Sequence, residues 1–130
     1  MARIHQDVFD NGLSEFTADA YAIHLISADT ADIEGAGAYT EVTSTNSLGN
    51  GTVTFTLADD DNDGRKATSS AINNASVSAT GTAIAYAIVN TTDSKVLATG
   101  DVTNQSLTSG NTFDLGAVTI TLPFTASALT

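Results

Sequence analysis

The chain has 130 residues, enough for one domain with a single hydrophobic core over residues 1–130. Fifteen acidic groups face only four Lys and Arg, a formal net charge of −11, so its surface repels both nucleic-acid phosphates and anionic membranes. With no cysteine, disulfides and thiolate chemistry are excluded.

The first pattern is helical. In "DVFDNGLSEFTADA", Phe9, Leu13 and Phe16 fall at i, i+4 and i+7, which predicts a short N-terminal α-helix capped by Asp7 or Asp10. Gly12 costs that helix about 1 kcal/mol of propensity, so it depends on packing. The opening "MARIHQDVFDNG" lacks the apolar stretch of a signal peptide, and no apolar run approaches the roughly twenty residues that span a bilayer.

From Ala20 the period changes to two. "YAIHLIS" sets Tyr21, Ile23 and Leu25 on one face of a strand and Ala22, His24 and Ile26 on the other. The stretch "ADTADIEGAGAYTEVTSTNSLGNG" is rich in small and turn-forming residues and reads as a long connection with one helical turn around Ile33. "TVTFTLA" then alternates Val53, Phe55 and Leu57 against threonines, as a half-buried strand does. "KATSSAI" and "ASVSA" read as weaker strands. "TAIAYAIVN" places Ile84, Tyr86 and Ile88 opposite alanines, and "TTDS" turns the chain into "KVLATGDV". "GNTFDLG" and "AVTITLPF" close the series, with Pro123 at the point where a missing amide donor ends a strand. The expected fold is mainly β, an antiparallel β-sandwich or open barrel of seven to eight short strands with the N-terminal helix against it.

One loop invites a metal. Asp59, Asp61, Asp63 and Gly64 match the opening of a calcium loop, where oxygens at alternate positions converge on a hard cation and glycine allows the turn. The twelfth position is Ser70 instead of a bidentate glutamate, the flanks are strands, and Arg65 and Lys66 bring positive charge beside the loop. The balance favours a solvated hairpin over a Ca2+ site, so no metal or other cofactor is assigned. Asp59, Asp61 and Asp63 are the residues that would hold the ion. His24 sits among apolar neighbours and reads as a structural histidine. No serine stands in a nucleophile motif, the carboxylates cluster in loops, and tryptophan, the usual sugar platform, is absent. The chain reads as non-enzymatic, with no catalytic residues.

The order of the segments "VFDNGLSEF", "AIHLIS", "DGRKAT", "SATGTAIAYAIVNTTDSKVLATGDV" and "LTSGNTFDLGAVTITLP" resembles a loosely conserved family of small virion proteins of tailed bacteriophages. The resemblance covers most of the chain and rests on layout and short phrases. It implies a structural part of the particle, made in the host cytoplasm and carried on the virion. Its expected role is a capsid decoration or cement protein bound to the major capsid protein or to other virion proteins, and its expected state is a homo-oligomer, dimer or trimer. A neck, tail or fibre-base component, or a carbohydrate-binding surface module, is the alternative. The exposed positions of "GTAIAYAI" and the residues around the first helix are the expected contact surfaces.

Overall fold

The computed structural model describes residues 3–5, 12–30, 32–59 and 64–122. Ten strands lie among them: β1 (Arg3–Ile4), β2 (Tyr21–Ile26), β3 (Ser47–Val53), β4 (Phe55–Asp59), β5 (Arg65–Ser69), β6 (Ile72–Ser76), β7 (Gly81–Asn90), β8 (Lys95–Leu107), β9 (Thr112–Leu115) and β10 (Thr119–Leu122). They pair in a five-stranded sheet ordered β1-β8-β7-β2-β3, a three-stranded sheet ordered β10-β5-β4 and a β6-β9 pair. Every pairing is antiparallel. The mainly β, antiparallel expectation holds.

The predicted N-terminal α-helix does not. Gly12 adopts φ +69°, a left-handed backbone through which a right-handed α-helix cannot continue, and the chain makes a 3-10 turn over Gly12–Phe16 instead. Phe9 and the proposed caps Asp7 and Asp10 lie outside the described residues. Leu13 and Phe16 are nevertheless both buried, because residues three apart in a 3-10 turn stack on one side. The turn is pinned by Tyr21, whose hydroxyl donates to the Glu15 carbonyl and accepts from the Asp19 amide at 3.0 Å.

The alternation in "TVTFTLA" is real, but it runs around a corner. The predicted single strand divides at Thr54 between β3 in the larger sheet and β4 in the smaller one. Ser70 clasps the corner, its amide donating to the Thr54 carbonyl at 2.8 Å and its hydroxyl accepting from the Thr54 amide at 3.1 Å. Val53 and Phe55 therefore enter the same core from different sheets. There Phe55 packs on Phe16, with ring centroids 4.9 Å apart, and meets Tyr21 edge-on at 5.7 Å.

"SLGNG", read as the end of the long connection, is the body of β3, and its glycines let β6 cross closely. A Cβ at Gly49 would lie 2.6 Å from the Ser76 carbonyl oxygen, and one at Gly51 would lie 2.7 Å from Ile72 Cγ2. β8 is also longer than "KVLATGDV" suggests: its thirteen residues run on through "TNQSL".

The five-stranded sheet is covered on both faces. One face joins Tyr21, Ile23, Leu25, Ile88 and Leu97 to the aromatic cluster and to the smaller strands. The other presents Ala22, Ile26, Ala85, Ala87, Val89 and Val96 to Ile33, Ala38 and Val42 of the long connection. That connection holds an α-helical turn at Ala38–Thr40 and a π-helical turn at Glu41–Thr45, a few residues beyond the turn expected at Ile33. A register shift between Ala83 and Ala85 brings Ile84 to the same face as Ala85, so the expected Ile84–Tyr86–Ile88 stripe is broken at its first member.

Candidate functional site

The acidic hairpin comes first, because the sequence singled it out. Asp59 and Arg65 are cross-strand partners at the end of the β4–β5 ladder, and their side chains form an ion pair. Strand pairing places a guanidinium against the first of the three carboxylates in the calcium reading. Asp61 and Asp63 lie outside the described residues. Among the described residues, no three His, Asp or Glu side chains converge as metal ligands would.

His24 lies where the sequence placed it, on β2 between Ala22 and Ile26, and is only 5% exposed. Its Nδ1 is 2.8 Å from the Ser47 hydroxyl. Burial alone lowers its pKa to about 4, so the ring is neutral near pH 7.

Several depressions in the described surface have a mixed lining. A groove of about 340 Å³ opens between the far half of β8 and β9, with Val102, Leu107, Phe113 and Leu115 supplying its apolar wall and Gln105 and Asp114 its polar rim. Val102 and Leu115 are half-buried, so apolar surface reaches the solvent here. Asp114 is fixed by accepting the Asn74 amide at 2.7 Å, and Asn74 holds the left-handed conformation at φ +56°. A cleft of about 250 Å³ gathers His5, Glu34, Tyr39 and Lys95 between the long connection and the start of β8. Composition alone could not find either depression, because each draws on segments more than thirty residues apart or on a strand continuation that the sequence left unread.

The predicted contact surface in "GTAIAYAI" is mostly interior. Ala83, Ala85, Ala87 and Ile88 are buried, Thr82 is exposed, and Ile84 and Tyr86 are half-buried. Tyr86 lies over Gly100, its cross-strand partner, where a Cβ would fall 2.5 Å from the ring. Burial, and secondarily the charge of Asp101, raises the pKa of its hydroxyl. The residues around the first turn divide in the same way: Leu13 and Phe16 belong to the core, while Ser14 and Thr17 to Asp19 face solvent.

Sequence inspection did not assign Asn90 a structural role. It is fully buried at the end of β7 and organises the β7–β8 turn. Its Oδ1 accepts the Thr92 and Asp93 amides at 2.9 and 3.0 Å, and its Nδ2 donates to Asp19 at 2.9 Å. An asparagine immediately before "TTDS" is the available signal, since Asn side chains mimic the backbone of a turn.

No described helix is long and apolar enough to cross a membrane, which says nothing of strands. Comparisons with family models, curated proteins and solved structures yield no match for this chain.

Proposed function

We propose that this chain is a non-enzymatic structural protein of a tailed-phage particle, a capsid decoration or cement protein that acts through contacts with the major capsid protein or other virion proteins. The larger sheet stacked across one core from the smaller strands is read as an open β-sandwich, a scaffold suited to presenting a surface. The structural observation that carries the reading is the β8–β9 groove. There, half-exposed apolar side chains meet a polar rim, as at protein interfaces, with no convergent set of acids, bases and nucleophiles among the described residues. The segment resemblance to small virion proteins supplies the kind of particle.

A stable attachment would bury about 1,000 Å² or more in total, and a dimer or trimer would multiply weak contacts over a repetitive shell. The copy number on purified particles tests the proposal. Hundreds of copies support a shell protein, about six or twelve support the neck or tail alternative, and less than one copy per particle with free protein in the lysate overturns both. A carbohydrate-binding surface module is the other reading. It predicts glycan-array binding, against which the absence of tryptophan argues.

A further inference from the structure

The second face of the five-stranded sheet is covered by residues 32–46, a segment of helical turns instead of a further strand. No strand ladder joins it to the sheet. It contributes the apolar side chains Ile33, Ala38 and Val42. At its far end the Asn46 carbonyl accepts from the Ser27 amide at 3.0 Å and from the Ser27 hydroxyl at 3.4 Å. Immediately beyond, Ser47 meets His24. The cover also contains a π-helical turn, with the Asn46 amide reaching five residues back to the Glu41 carbonyl at 2.9 Å. Such turns are rare and often mark functional segments.

His24 is the ionisable group on the part of β2 that faces this cover. Its cross-strand partners are the uncharged Asn50 on β3 and Ala87 on β7. The cover itself carries Asp32 and Glu34, both exposed, and Tyr39 and Glu41, both partly exposed. On the rest of the face, β1 brings Arg3, paired with Asp29, and is followed by His5, which shares a cleft with Ile33, Glu34 and Tyr39 of the cover. Lys95 begins β8 and Asp101 lies farther along it, while the tyrosines of β2 and β7, Tyr21 and Tyr86, belong to the opposite core. Burial is what lowers the His24 pKa, and the residues opposite it on both neighbouring strands carry no charge. A proton on His24 would be an uncompensated charge beneath an apolar cover.

We propose that residues 32–46 form an acid-released cover, which lifts from the Ala22–His24–Ile26 face when His24 is protonated and leaves the sheet and its other core folded. The opposite core supports such a partial opening. It contains the aromatic cluster and residues from both smaller sheets, and alternation along β2 turns His24 away from it, to the side of Ala22 and Ile26. Opening restores His24 to water, where it binds a proton near its ordinary value of 6.5 instead of about 4. The ratio of open to closed cover then rises about 20-fold at pH 5 relative to pH 7. The face uncovered is built largely from alanine and valine, flat enough for another layer to take the place of the cover. The proposal is independent of the virion reading and stands or falls without it.

Hydrogen exchange on the purified protein at pH 5 and pH 7, corrected for intrinsic rates, tests it. The protection factors of amides in residues 38–46 should fall about 20-fold at pH 5 while those of β7 and β8 hold. In His24→Gln the difference between the two pH values should vanish. Unchanged protection over 38–46 in the wild type overturns the proposal, as does equal loss in the cover and in β7. Should His24→Gln fold poorly, the wild-type imidazole titration followed by NMR decides alone: a His24 pKa within half a unit of about 6.5 overturns the proposal.

Discussion

The two faces of the five-stranded sheet are built by different means. One is sealed by other strands and a cluster of Phe16, Tyr21 and Phe55, large rings in mutual contact. The other is sealed by a short helical segment over alanines and valines, with a neutral histidine in the middle. Large side chains interlocked between hydrogen-bonded sheets resist local opening. Small side chains beneath a segment with few hydrogen bonds to the sheet do not. The two faces should therefore open at different free energies.

Phe16→Ala strikes the ring cluster directly. It should cost about 3–5 kcal/mol in denaturant unfolding and lower the stability of the whole domain, because the cavity opens in the shared core. Next comes pH. A histidine whose folded pKa lies below its unfolded value leaves stability intact above about 6.5 and loses it as pH falls from there through about 4. Denaturant titrations across that window should show a wild-type loss of up to about 3 kcal/mol that His24→Gln lacks. Subtracting the two curves removes the contribution of the fifteen acidic groups.

Gly49→Ala should cost about 1–3 kcal/mol, since its Cβ would press on the Ser76 backbone oxygen, which cannot rotate away. Val42→Ala, on the cover, should cost about 1–2 kcal/mol and speed exchange of the cover amides more than those of β8. Arg65→Ala should change the unfolding free energy by no more than about 0.5 kcal/mol in denaturant titrations, because its ion pair with Asp59 is largely solvent-exposed.

The strands were legible wherever a period of two met a buried face. "YAIHLIS" and "TVTFTLA" announced Tyr21, Ile23, Leu25, Val53, Phe55 and Leu57 as inward faces; the first five are buried and Leu57 is half-buried. The N-terminal helix was misread because spacing reports which side chains share a side and not the backbone beneath them. Leu13 and Phe16 share a side in a 3-10 turn as readily as in an α-helix. The corner at Thr54 was invisible, since alternation continues unbroken when a strand changes sheets. The calcium motif was legible as spacing, but the register that sets Arg65 beside Asp59 belongs to the pairing of two strands.

By itself the sequence determined the acidic, cysteine-free, β-rich character of the chain and most of its core, because residue type and local period act over a few neighbours. Only the tertiary structure decided that the glycine-rich, small-residue stretch from 32 to 51 would divide into a cover for one face and a strand that another strand can cross. Those outcomes depend on which distant surface each segment meets, and Gly49, Ala85 and His24 acquire their roles from the space and dielectric around them.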